Sequence, residues 1–455
     1  MVLSTRKPAG KAIVKEKPGL GAVLSTATVG FLSSSRQAHS AESSSTEASP
    51  YQRLKPSVDA FRKFLNTTGI DMEISGSLGI QLLPKLGVLS QIQNALNQRY
   101  DRRELSRVTS YRINDLPTAQ EALKYMRYAT AVYGREMIAA AQIGKPMEAA
   151  KKRAEDRTTR ECISEHINVP GEDIVLLDVD YDHETNHNHL RHFVAVEHAN
   201  RKVVLSIRGT FTLSEIVVDI TAFSRPCFDG GEAHTEMYNM AERIWAAAGE
   251  TLVRLLREND GYELIMTGHS LGAGCASVLN MMCQRNEREL IEGHRVRVFA
   301  FACPPLFTPL TLVPEAVYTT TNYILEQDIV PFLSVDSVRH MFHCVRAIED
   351  YMQTEMTTGE KMNLMLARAK PPEGMIEAVH EVGARRLQPK EGAPVLSIPA
   401  AVNIWMKEQP CGEYDFEVCD PEVLSWLGLN VDIEYFQYHL PPRYEYALEN
   451  LMDEI

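Results

Sequence analysis

The chain has 455 residues, 44% apolar and 24% charged, values that fit a soluble globular protein and exclude a collagen-like or wholly disordered class. A formal net charge of -13 speaks against nucleic acid as a main partner and against purely electrostatic adhesion to anionic lipid, so any membrane contact is expected to be apolar. Eight dispersed cysteines suit reduced thiols better than a disulfide framework, and no run of about 18 apolar residues predicts a membrane-crossing helix.

Residues 1–56 read as a disordered tail or a targeting segment. Before residue 41 a single acid, Glu16, faces Arg6, Lys7, Lys11, Lys15, Lys17 and Arg36, and "LGAVLSTATVGFL" could be the apolar core of a signal or transit peptide. A cytoplasmic and an organellar location both fit. Residues 57–160 read as a helical region. "IQLLPKLGVLSQIQNAL" has helical spacing that Pro84 is expected to break; "DLPTAQEALKYMRYATAVYG" is expected to be capped by Asp115 and to end at Gly134. Residues 145–160 are strongly charged, as in a solvated helix or linker.

From residue 161 to 455 the texture is that of an α/β domain. Strands are expected at His192–Glu197 and Val203–Arg208, joined by a short polar turn, then at Glu263–Met266, Val296–Ala302 and Asn322–Leu325. Helices are expected at Met240–Arg257 and Ala273–Arg285. Such alternation predicts a mainly parallel sheet with helices on both faces. Residues from about 335 to 393 read as an irregular, Met-rich and Lys-rich insertion. "PVLSIPAAVNIWM" restores strand character, and "PPRYEYALENLM" reads as a final helix with proline near its first turn.

The chemistry concentrates at Gly268-His269-Ser270-Leu271-Gly272, a G-x-S-x-G pattern. By composition alone it arises on the order of once in ten chains of this length, so its context decides its weight. Here a strand precedes it and a helix follows, the setting of a nucleophile elbow. A sharp turn lifts the serine hydroxyl clear of the sheet, and glycine two residues to either side removes Cβ atoms that would collide with neighbouring backbone. The first turn of the following helix aims its N–H groups at the serine, which makes Leu271 a candidate oxyanion donor.

A neutral serine hydroxyl needs a histidine base held by a carboxylate. Asp328, in "YILEQDIVPFLS", sits just past an apolar run and before Pro331; His439, in "YFQYHLPPRY", precedes the final helix. The order Ser, Asp, His is that of an α/β-hydrolase. Asp336 is an alternative acid, and His340, His343 and His380 are alternative bases. His269, a chain neighbour of the nucleophile, is expected to point elsewhere as a satisfied turn histidine. "VVLSIRGTFT" offers the second oxyanion donor, with Gly209 permitting close approach and Thr210 exposing its N–H and hydroxyl. The cluster His183, His187, His189 and His192 invites a zinc site, but it lies in what reads as a polar loop without fixed geometry, so neither metal nor cofactor is expected.

"SIRGT", "GHSLGAG", "DIVP" and the terminal "HLPPRYEYAL", with "VLSIPAAVNIWM" and "DPEVLSWLGL" before it, together resemble the class 3 lipase family, most of all its sn-1-specific diacylglycerol lipase branch. The resemblance implies an α/β-hydrolase fold, with Ser270 as nucleophile, Asp328 as orienting acid, His439 as base, and Thr210 and Leu271 as oxyanion residues. It implies a serine lipase of diacylglycerol or related glycerolipids acting at a membrane or droplet surface, with peripheral membrane contact. Asp219 matches a family position assigned to structure. Tyr438 departs from the branch, where an acid is expected before the histidine, and so does the lack of the branch's N-terminal membrane domain. Phospholipase A1 or galactolipase activity, and a lipase-like scaffold without turnover, are the alternatives. Residues 211–228 and the insertion 335–393 are candidate covers for an acyl groove.

Overall fold

The computed structural model describes residues 82–99, 116–141, 157–179, 191–209, 224–286, 291–383, 394–408, 414–419, 424, 428–431 and 435–452. Asp115, Thr210, Asp219, His183, His187, His189 and Cys411 lie outside the described residues, as do residues 1–56 and most of 211–228.

The first helix, α1 (Leu82–Arg99), runs straight through the expected break. Pro84 falls in its first turn, where a missing N–H removes no intrahelical bond. Helix α2 (Leu116–Ala131) ends as expected near Gly134, whose φ of 90° few side chains tolerate, and α3 (Arg135–Ala141) follows directly. Helix α4 (Thr159–Ile167) starts with a reciprocal capping box between Thr158 and Glu161.

The strands β1 (Ile174–Asp178), β2 (His192–Glu197), β3 (Lys202–Ile207), β6 (Glu263–His269), β7 (Val296–Phe301), β9 (Thr320–Leu325), β10 (Val402–Glu408) and β11 (Tyr414–Cys419) form one eight-stranded sheet in the order 1-2-3-6-7-9-10-11. From β3 to β10 the pairings are parallel, and the hairpins β1–β2–β3 and β10–β11 make the outer pairings antiparallel. A small antiparallel sheet joins β4 (Ser224–Cys227), β5 (Gly231–His234) and β8 (Phe307–Thr308). The mainly parallel sheet is the one the strand and helix alternation predicts, and the fold class is the α/β hydrolase that the family resemblance implies.

Alternation along the strands sorts the two faces. Val203, Leu205, Ile207, Leu264 and Met266 pack into one continuous apolar core with helices α5 (Thr235–Glu258) and α6 (Leu271–Arg285). The intervening residues face α2: the Ser206 hydroxyl donates to the Tyr128 carbonyl at 2.8 Å, and the Thr267 hydroxyl is shared between the Phe299 carbonyl at 2.9 Å and that of Tyr125 at 3.2 Å. The Tyr125 and Phe299 rings meet 4.5 Å apart on that face. Helix α2 is thereby a layer of the sheet domain rather than a neighbour of it.

Residues 335–383, expected to be irregular, are helical: α8 (Val335–Glu355), α9 (Thr358–Met365) and α10 (Glu373–Gly383). Capping boxes at Ser334–Ser337 and Thr357–Glu360 start the first two, a local signal that the Met-rich and Lys-rich composition masks. Val88, Leu89 and Ile92 of α1 and Val338, Phe342, Val345 and Ile348 of α8 extend the same core. The short helices α7 (Pro314–Tyr318) and α11 (Tyr435–Tyr438) and the last helix, α12 (Pro441–Met452), complete the described elements. No helix among the described residues is long and apolar enough to cross a membrane. Seven cysteines fall among these residues, none in a disulfide.

Candidate active site

Two loops leave the carboxyl ends of the parallel strands β6 and β9 at one end of the sheet, where ligand sites of such sheets form. The loop after β6 is a single residue. Ser270 joins β6 directly to α6 with φ 60° and ψ -128°, a conformation unfavourable for any residue with a Cβ. Its N–H donates to the Phe301 carbonyl at 2.8 Å, which ties the turn to the end of β7. A Cβ on Gly268 would overlap the backbone of Gly272, and a Cβ on Gly272 would overlap the Ile207 carbonyl, so both glycines are required by close approach. Leu271 begins α6, and its N–H is a first-turn donor for which the helix supplies no acceptor.

The loop after β9 carries Asp328. Its chain path is pinned by the Glu326 N–H to the Met406 carbonyl at 2.8 Å and by the Trp405 indole to the Glu326 carbonyl at 2.7 Å. The Val330 N–H donates to Asp328 Oδ1 at 3.0 Å, a local side-chain turn that fixes one carboxylate oxygen. His439 follows α11 and precedes the Pro441-Pro442 start of α12.

These three side chains meet although 169 positions separate the first from the last. His439 Nε2 lies 2.8 Å from Ser270 Oγ, and Nδ1 lies 2.9 and 3.0 Å from the two oxygens of Asp328. Ser270 and Asp328 have no exposed surface and His439 retains 7%, so a charge on any of the three would be held away from water. The alternatives lie elsewhere. Asp336 sits in the first turn of α8 with Arg339 at 3.5 Å, His340 packs on Gly428, and His343 and His380 belong to α8 and α10.

Two further side chains complete the setting, and neither is visible in the residue spacing. The Tyr444 hydroxyl, on α12, donates to Asp328 Oδ2 at 2.6 Å. The Tyr133 hydroxyl, just after α2, accepts the Gly209 N–H at 3.2 Å and lies 3.3 Å from His269 Nδ1. It couples the strand end that leads to Thr210 with the serine turn. Room for this comes from Gly209, where a Cβ would overlap the His269 carbonyl and stand 2.7 Å from the Tyr133 oxygen. Tyr444 lies inside "HLPPRYEYAL", a stretch that carries the family resemblance, which was the available signal for it.

His269 does not bear out its reading as a fully satisfied turn histidine. Its ring is buried, its centroid is 4.6 Å from that of His439, and Nε2 makes no hydrogen bond among the described residues. Burial, and then the neighbouring His439, hold its pKa well below the ordinary histidine value, so it is neutral at pH 7. His269, Asp328 and His439 offer ligand atoms within 4.8 Å of one another, the one such grouping found among the described residues. The two rings' Nδ1 atoms, His439 Nε2 and both Asp328 oxygens already have hydrogen-bond partners within the protein, so the grouping is a hydrogen-bonded network. His192, the one described member of the histidine-rich stretch, is buried in β2 with Asp178 3.9 Å away.

Residues 204–338 match the family described as lipase (class 3). Over 159 residues the chain is 26% identical to diacylglycerol lipase-beta of Mus musculus, covering 32% of this chain and 22% of that protein. Over 158 residues it is 28% identical to diacylglycerol lipase-alpha of Homo sapiens, covering 32% and 15%. A secreted mono- and diacylglycerol lipase A of Penicillium camembertii is 33% identical over 92 residues, 19% of this chain and 29% of that one. The chain thus spans less than a third of the length of each relative. Among solved structures, a lipase from Rhizopus microsporus var. chinensis aligns over 75% of this chain and 92% of its own, with 13% identity and a TM-score of 0.44.

Proposed function

With residues 204–338 belonging to the class 3 lipases, we propose that the protein is a serine hydrolase of acylglycerol esters, working through an acyl-enzyme on Ser270. The observation that carries this reading is the unbroken line from Ser270 Oγ through His439 to Asp328, with contacts of 2.8, 2.9 and 3.0 Å in a dry site. His439 Nε2 takes the serine proton as Oγ attacks the ester carbonyl, and Asp328 stabilises the imidazolium that forms. The Leu271 N–H at the head of α6 and the N–H of Thr210 receive the tetrahedral oxyanion. The imidazolium then protonates the leaving alcohol. Water, deprotonated by His439, attacks the acyl-enzyme and releases the fatty acid with Ser270 restored.

The substrate class rests on the diacylglycerol lipases among the relatives, and the enzyme meets such lipids at a membrane or droplet surface through apolar contact. Because Ser270 is wholly buried, the ester reaches it when a covering segment shifts. Ser270→Ala is expected to lower hydrolysis of diacylglycerol, and of a soluble butyrate ester, by roughly 10⁴-fold or more and to end labelling by a fluorophosphonate, with the melting temperature kept. Retained turnover in that variant would sink the assignment. Turnover of phospholipid or galactolipid micelles but not of diacylglycerol would keep the chemistry and correct the head group.

A further inference from the structure

Resting on that triad, we infer that Tyr444 is a positioning residue for its acid, a hydroxyl clamp that holds Asp328 in the orientation His439 requires. Asp328 is bound from both sides. Oδ1 receives the Val330 N–H at 3.0 Å, Oδ2 receives the Tyr444 hydroxyl at 2.6 Å, and the His439 Nδ1 proton lies nearly midway between them at 2.9 and 3.0 Å. Remove the hydroxyl and, among the described residues, Oδ2 keeps no donor but the histidine itself, so the carboxylate can turn about its bond to Cβ.

The phenol is aimed rather than merely near. Its oxygen accepts the Leu325 N–H at 3.1 Å, from the last residue of β9, which leaves its proton directed at the carboxylate. Tyr444 is fully buried between the Phe301 and His269 rings, with centroids 6.4 and 5.5 Å away. Burial, and then the Asp328 charge, push its pKa well above the ordinary phenol value, so it remains a neutral donor throughout the working range. The chain itself couples the parts. Tyr444 stands five residues after His439, in the first turn of α12, so the segment that presents the base also carries the clamp on its partner acid.

The clamp also sets how strongly Asp328 supports a proton on His439. The groups facing that imidazole are Asp328 from the β9 loop, Ser270 and neutral His269 from the β6 turn, and Tyr444 behind the acid; Arg208 lies farther off, acting on Tyr133. A donor on Oδ2 spreads the carboxylate charge. Its loss concentrates that charge on the histidine and favours the imidazolium.

The test compares rates of fluorophosphonate labelling of Ser270 and of butyrate ester hydrolysis, across pH, in wild type, Tyr444→Phe, Asp328→Asn and the double variant. Expected for Tyr444→Phe is a fall of about tenfold in kcat/KM, with the acid limb of its pH profile moved to higher pH. In the Asp328→Asn background the same change should cost almost nothing further. An unmoved limb, or an equal loss in both backgrounds, would reduce Tyr444 to packing and overturn the proposal. If Asp328→Asn alone labels at the wild-type rate, the fault lies instead with the triad assignment. Should Tyr444→Phe not fold, 3-fluorotyrosine placed at 444 alone keeps the volume and strengthens the donor. The limb should then move to lower pH, and an unmoved limb would again overturn the clamp.

Discussion

The serine turn and the helical unit formed by α1 with residues 335–383 share one apolar core, yet they are built by opposite means. At the turn, backbones touch. Gly209, Gly268 and Gly272 let β3, β6 and α6 approach within distances that any side chain would prevent, and the residues around them bond through neutral hydroxyls and peptide groups. In the helical unit amphipathic faces meet through side chains, and ion pairs tie it, Lys85 with Glu349 in its interior and Arg99 with Glu373 at its rim. The first construction tolerates no added atom. The second should tolerate most changes that keep its apolar face.

Gly272→Ala is the sharpest way to break that contrast. The added methyl would overlap the Ile207 carbonyl, an atom of a central strand that cannot yield without disturbing the parallel pairing of β3 with β6. Overpacking against immovable backbone should cost several kcal/mol, on the order of 3 or more, and leave little soluble protein. By contrast Gly87 of α1 has open space around its Cβ position, where alanine should stabilise the helix by about 0.5–1 kcal/mol. Thermal unfolding of the two variants measures the difference. A Gly272→Ala protein that melts near the wild type would show the sheet to be softer than its spacing implies.

The same asymmetry explains which parts were legible in the sequence. The strands were readable where both neighbours bury them: β2 was expected at its observed bounds, and β3, β6, β7 and β9 within three residues at each end. Strand β11 was missed because it is an edge strand with acids at Asp415 and Glu417, and β4 and β5 because their polar residues carry no periodic signal. Helices α8 to α10 were hidden by composition, which says little when short capped helices lie side by side. At the site, Ser270, Asp328 and His439, which the structure brings together, could be put forward because the proposed chemistry demands each residue type at a strand end or a helix start. Tyr133 and Tyr444 could not, since a hydroxyl that positions another group leaves no spacing rule behind.

His269 gives the next effect in size, and it belongs to the turn alone. Its folded pKa is depressed by burial and by His439, whereas in the unfolded chain it returns to about 6.5. Between those two values the unfolded state binds more protons, so the contribution is complete above about pH 6.5 and is lost as pH falls below it. The slope from this one group is at most about 1.4 kcal/mol per pH unit. Urea titrations at pH 7 and pH 5 should show a larger loss for wild type than for His269→Asn, in which nothing titrates at that position. Parallel losses in the two proteins would place the acid sensitivity outside the turn.

The smallest effects separate the two ion pairs of the helical unit. Lys85 is buried and Glu349 half-buried, so Lys85→Met keeps the aliphatic packing but takes a charged partner from a partly desolvated carboxylate, at a cost of about 1–2 kcal/mol. Arg99 and Glu373 are both open to water, and although two nitrogens of one guanidinium face two carboxylate oxygens, solvent replaces those contacts as readily as it competes with them. Arg99→Ala should therefore leave the melting temperature unchanged. If instead Arg99→Ala lowers it as much as Lys85→Met does, the rim of the unit is held by charge as tightly as its interior, and the tolerance argued for this region would be confined to its apolar seam.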